Sequence, residues 1–209
     1  MQIRNITVLA ALFLAACGHA KKTYLLADSA SADSPNVSAA KENPVTADKL
    51  IVPGERIGGT HLNENVDSVI LRLGKPDKSD AAMGSAMATW LSKEPNSPYQ
   101  TDIYSHRNMG AADENIARVK IIRVTSPWFK TEERLGVGST LPQVEDHFKT
   151  KQAIVYANGK DTLRIYDDRS KGIGFEMNNS GKCTGVLIHT KGDSTAAYIS
   201  MHPDMKRVQ

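Results

Sequence analysis

Ala153-Ile154-Val155-Tyr156-Ala157-Asn158-Gly159-Lys160-Asp161-Thr162-Leu163-Arg164-Ile165-Tyr166-Asp167 reads as two strands around a tight turn. Asn-Gly supplies the positive backbone angles that a short hairpin demands, and β-branched and aromatic residues flank it. The strands are expected over 153–156 and 162–167. Two more follow over 172–177 and 183–190, around Asn178-Asn179-Ser180-Gly181. Upstream, Leu141, Val144 and Phe148 fall on one side of a helix, and Thr140 and Gln143 have capping-box spacing at its start. The segment therefore reads as a helix followed by a four-strand antiparallel meander.

The same order occurs earlier in the chain. Glu133-Arg134-Leu135-Gly136-Val137-Gly138-Ser139-Thr140-Leu141 is echoed by Glu55-Arg56-Ile57-Gly58-Gly59-Thr60-His61-Leu62. Leu62, Val66, Val69, Ile70 and Leu73 then make an apolar helical stripe, which Gly74 and Pro76 stop. Strands are expected at 87–92, 101–106 and 116–125. The expected class is α+β: two tandem units, 50–130 and 131–209, each a short helical segment packed on a three- to four-stranded antiparallel sheet. Trp128-Phe129 would wedge between them.

The beginning of the chain has another character. Arg4 precedes an apolar run over 6–16, too short for the roughly 20 residues that span a bilayer. The run ends in Leu14-Ala15-Ala16-Cys17, which resembles a bacterial lipobox. That resemblance implies a signal over 1–16, cleavage before Cys17 and acylation of its thiol, so that the bilayer is one partner. Gly18 after the cysteine, with no Asp, implies by analogy the outer membrane, facing the periplasm. Residues 17–49 form the lipidated terminus and a tether, with seven Ala and four Ser among the 32 residues of 18–49 and little to bury.

Gly59-Thr60, Val66 and Leu73-Gly74-Lys75-Pro76, echoed by Gly138-Ser139-Thr140 and Val144, resemble two groups. One is the tandem units of β-lactamase-inhibitor-protein-like domains. The other is the single unit of BamE (SmpA)-like outer-membrane lipoproteins. The second copy lacks the Gly-x-Pro ending. The resemblance implies a non-enzymatic binder that meets partners over its sheet.

Composition narrows the chemistry. With 26 Lys+Arg against 23 Asp+Glu, a net charge of +3 and 40% apolar residues, the chain is neither a dedicated nucleic-acid binder nor disordered. Its six histidines show no metal-ligand spacing, and no cofactor motif is present. The acidic pairs, such as Asp167-Asp168, read as turns. Cys183, in an apolar run, reads as a buried thiol.

Alternation assigns Leu163, Ile165, Ile173, Phe175, Val186 and Ile188 toward the helix, with Ile103, Val119 and Ile121. It leaves Tyr104, His106, Arg118, Lys120, Arg164, Tyr166 and His189 on the outer face. These seven are the candidate partner-binding residues, because aromatics mixed with Arg suit protein contacts. The expected function is a membrane-anchored, non-catalytic protein-binding module serving envelope assembly or surveillance, its partner an envelope protein. One alternative is a small-ligand or glycan binder built on Tyr104, Tyr166 and Arg164, which requires a concave pocket between the units. Another is an enzyme using Cys183 or His106.

Overall fold

Two meanders of four strands meet edge to edge and become one sheet. The computed structural model describes residues 44–196 and 199–208. The chain divides into Met1–Lys41 and Glu42–Gln209. The apolar leader, Cys17 with its motif, and the tether through residue 43 lie outside the described residues.

The second unit opens with a small sheet of three two-residue strands, β1 (Ile51–Val52), β2 (Arg56–Ile57) and β3 (Thr60–His61). Gly58 turns β2 into β3 at φ +53°, and a Cβ there would lie 2.6 Å from the Asp48 carbonyl oxygen, so only glycine fits. Helix α1 (Val66–Leu73) follows. The Asn65 side chain caps it by accepting from the Asp67 N–H, and it ends at Gly74. Then come β4 (Lys78–Ala82), β5 (Ser85–Leu91), β6 (Gln100–Arg107) and β7 (Ala117–Val124).

Helix α2 (Leu141–Glu145) precedes β8 (Lys151–Asn158), β9 (Asp161–Asp168), β10 (Ile173–Met177) and β11 (Cys183–His189). The Thr140 N–H donates to the Gln143 side-chain oxygen at 2.9 Å, as the capping spacing requires. The Asn158-Gly159 signal produces a hairpin whose loop is Gly159-Lys160, with Asn158 paired to Asp161. A last strand, β12 (Lys206–Arg207), pairs with β8. The sheet order is β12-β8-β9-β10-β11-β7-β6-β5-β4, with every pairing antiparallel.

The expected fold class is corrected here. The described residues hold twelve strands in two sheets and two helices of only eight and five residues, so the fold is β-rich rather than a pair of helix-plus-sheet units. Two physical causes account for the difference. Glu55 to Leu62, read as a lead into the first helix, is largely taken by the small sheet, and Lys78–Ala82, exposed throughout and without apolar alternation, is an unforeseen edge strand. In addition, the last strands of both meanders are rich in β-branched residues. Val186↔Val124, Leu187↔Arg123, Ile188↔Ile122 and His189↔Ile121 satisfy both exposed edges by fusing them.

Fusion gives the large sheet two faces. Val69 and Val144 from the helices pack on the first face over Ile103, Ile122, Val124, Phe175, Val186 and Ile188. Phe129 joins this core, whereas Trp128 stays 42% exposed against Tyr99, so only half of the expected wedge is one. The C-terminal segment lies on the second face, where Ala196 and Met201 cover Ile121, Ile154, Tyr156, Ile165 and Leu187.

Leu163, Ile165 and Ile121 thus belong to the second face, not to the helix side. Phe175 pairs with Tyr166, which places Tyr166 with Phe175 and turns Ile165 over. In β7 a bulge opposite Tyr104/Ser105 inserts Lys120, so Val119 and Ile121 point to opposite faces.

Candidate functional site

The two meanders part company at one end. β11 pairs with β10 from Cys183 onward but with β7 only from Val186, so the strands fork beyond Val124. Three side chains meet beside this fork on the second face. Arg123 Nη1 donates to Asp102 Oδ2 at 2.6 Å, while its Nε and Nη2 donate to the two oxygens of Glu176, each at 2.7 Å. Asp102 also accepts from Thr89 and Gln100, and His202 Nε2 donates to Glu176 Oε1 at 2.7 Å.

Arg123 reaches Glu176 diagonally across β11 because position 185 is glycine. A Cβ there would lie 2.2 Å from Glu176 Oε2. The network is almost dry, with Glu176 0% and Asp102 2% exposed. Burial by itself would raise the Glu176 pKa. The Arg123 charge and the bonds from His202 and Arg123 outweigh it and bring the carboxyl down to about 2. The same two carboxylates hold the Arg123 guanidinium above its ordinary value against the opposing effect of burial.

The fork opens into a cleft of about 830 Å³, whose lining includes Lys78, Met87, Tyr99, Asp102, Arg123, Lys182 and Asp204. A second depression of about 280 Å³ shares Met87 with it. A third, of about 600 Å³, shares Tyr104 and Ile199 with the second. The three lie next to one another along β5 and β6, a trough of adjoining depressions. Its floor alternates Ser85, Met87 and Thr89 with Asp102, Tyr104 and His106. Lys78, Asp80 and Ala82 of β4 pair with Thr89, Met87 and Ser85 and extend this floor to the sheet edge, and residues 199–204 of the C-terminal segment border the depressions.

Of the seven residues singled out by alternation, Tyr104, His106 and Lys120 come together at one end of this trough, beside Thr190, Lys191, Asp193 and Thr195. Ser85 Oγ lies 2.9 Å from both Tyr104 Oη and His106 Nδ1, fixing the floor there. Arg118 pairs with Asp113 at 2.9 Å and stands outside that end. Arg164 reaches Asn179 in the β10–β11 loop. Tyr166 is half-buried against the first-face core.

His189 is 1% exposed. Its Nε2 lies 2.9 Å from Asp167 Oδ1 and its Nδ1 2.9 Å from the Thr190 carbonyl oxygen. Both partners are acceptors, so the two contacts favour the doubly protonated ring. Burial opposes that charge, but Asp167 and the carbonyl overcome it and raise the pKa.

Cys183 is buried, and its Sγ donates to the Gly185 carbonyl oxygen at 3.2 Å. Burial and the nearby Glu176 charge push the thiol up to about 12, the inert state read from its apolar run. Cys183 and His106 line different depressions and do not converge.

The sequence reading missed Asp102, Arg123, Glu176 and His202. A signal was present: Arg123 sits between Ile122 and Val124, and Glu176 between Phe175 and Met177. A charge inside an apolar strand needs a buried partner of opposite sign. No protein family, no curated protein and no solved structure matches the chain.

Proposed function

We propose that this protein is an envelope lipoprotein, anchored through an acylated Cys17, whose folded part binds a protein partner along the trough without catalysing a reaction. The observation supporting the binding reading is the trough itself: three adjoining depressions along β5 and β6, bordered by the C-terminal segment. The buried network favours a fixed shape, because Arg123 gives three of its N–H groups to Asp102 and Glu176. Among the described residues no helix is long and apolar enough to cross a membrane, so the anchor reading rests on Leu14-Ala15-Ala16-Cys17 and the apolar run before it.

The test has two arms. Cys17→Ser should abolish lipid attachment and membrane retention; an unchanged mass and unchanged fractionation refute the anchor. In-cell cross-linking followed by capture from detergent-solubilised envelopes should yield a specific protein that Tyr104→Ala loses. An identical catch from wild type and variant refutes the trough as the contact surface.

A further inference from the structure

Among the described residues, the nine-stranded sheet ends in an edge that no further strand covers. β4 pairs with β5 alone, and all five of its residues are exposed. At the opposite end β8 is capped in part by β12 and by the bond from the Val208 N–H to the Val155 carbonyl oxygen. An unpaired edge presents a row of N–H and C=O groups that another strand can take up.

The β4–β5 turn fixes which groups those are. Met83 at φ +50° and Gly84 at φ +79° make a two-residue turn, which closes on Ala82 and Ser85 as a hydrogen-bonded pair. Such pairs alternate along an antiparallel ladder. Ala82, Asp80 and Lys78 therefore turn their backbone groups toward β5, whereas Ala81 and Ser79 turn theirs outward.

The side chains then choose among the strands that could dock. Lys78 and Asp80 stand on one face of β4, two residues apart, and neither takes part in a salt bridge among the described residues. The neighbouring Asp77 carboxylate already accepts from the Leu91 N–H at 2.8 Å. A lone edge lysine deters pairing. An identical strand laid antiparallel, with Ser79 opposite Ser79 on a two-fold axis, instead sets Lys78 of each copy directly opposite Asp80 of the other. That register hydrogen-bonds the outward Ser79 groups and forms two cross-strand ion pairs at once. The next register that keeps the same hydrogen-bonding phase, Ser79 opposite Ala81, sets Asp80 against Asp80 and is opposed by like charge.

We propose that β4 is a self-association edge: a second copy of this chain docks on it antiparallel, with Ser79 at the two-fold axis and Lys78 and Asp80 paired reciprocally. A ladder this short makes a weak dimer, so the test traps it covalently.

The purified full-length chain in detergent is oxidised mildly after Ser79→Cys or Ala81→Cys, with the parent chain setting the background from its own cysteines. Across the proposed axis the two Ser79 Cα atoms stand about 5.5 Å apart, within disulfide reach, and the two Ala81 Cα atoms about 14 Å apart. Disulfide-linked dimer should therefore form at least about tenfold faster from Ser79→Cys than from Ala81→Cys. Adding Lys78→Glu should slow the Ser79→Cys trap about fivefold at low salt, and Lys78→Glu with Asp80→Lys should restore it, because the swapped strand is again complementary to itself. All of these positions are exposed, so thermal unfolding should stay at the parent's temperature. Trapping at Ser79 no faster than background, equal or faster trapping at Ala81, or a charge swap that does not restore the rate overturns the proposal.

Discussion

The two faces of the nine-stranded sheet hold together by different means. The first is an apolar seal in which Val69 and Val144 from the helices close over Phe175, Val186 and Ile188, all essentially buried. The second couples a smaller apolar cluster to a buried charge network of Asp102, Arg123, Glu176 and His202. A seal made by dispersion and water exclusion tolerates a change of side chain that keeps volume. A charge network tolerates none that leaves a carboxylate alone, because the desolvation cost remains after the attraction has gone.

The sharpest way to break this contrast is a pair of substitutions of similar bulk. Arg123→Met should cost about 3–5 kcal/mol in urea unfolding, since it strands two buried carboxylates. Met177→Leu, on the first face, should cost less than about 1.5 kcal/mol. Comparable losses from the two would erase the distinction between the faces.

Acid should single out the second face. The Glu176 carboxyl is lowered from 4.5 to about 2 in the fold. Its contribution is therefore present above pH 4.5 and lost as pH falls toward 2, on the order of 3 kcal/mol over that window. Urea midpoints measured from pH 6 down to pH 2 should fall steeply in wild type. A flat profile would mean that Glu176 is not held as a carboxylate.

A smaller effect should follow from Gly185→Ala. The added Cβ would meet Glu176 Oε2 at 2.2 Å, so the carboxylate must shift from under Arg123. A loss of about 1–3 kcal/mol is expected by denaturant titration. The same substitution at Gly181, where a Cβ meets nothing within 4 Å, strains only the backbone, at φ +70°.

His189 supplies the smallest effect and the opposite pH sign. Its folded pKa is raised, so its contribution is complete below the unfolded value near 6.5 and disappears as pH climbs through the folded value. Wild type should lose stability between neutral and mildly alkaline pH, and His189→Gln should show a shallower slope. Parallel slopes would contradict the imidazolium bound between Asp167 and Thr190.

How much was legible beforehand differs by element. The hairpin at Asn158-Gly159, the stop of α1 at Gly74 and the Thr140–Gln143 cap are local features, each decided within a few residues, and the sequence displays them. Face assignment in β9 failed because alternation relates residues only within a strand. Ile165 and Tyr166 alternate correctly, but which of them shares a face with Phe175 depends on the register with β10. Ile121 was misplaced because of a bulge at Lys120, which needs the partner strand to exist. Tyr104, His106 and Lys120, placed outward by the pattern, line one depression, which Lys191 joins from a distant part of the chain, a meeting that no local pattern announces.

The sequence by itself determined the four strands of the second meander, three of the four in the first and the buried state of Cys183, because propensity, turn chemistry and apolar runs act over a few residues. It also carries the lipobox-like segment in full. The tertiary structure alone decided that β7 and β11 join, that the sheet forks beyond Val124, and that Arg123 crosses a glycine to reach Glu176. Those outcomes depend on which edges find each other, and edges present the same backbone groups whatever the residues they carry.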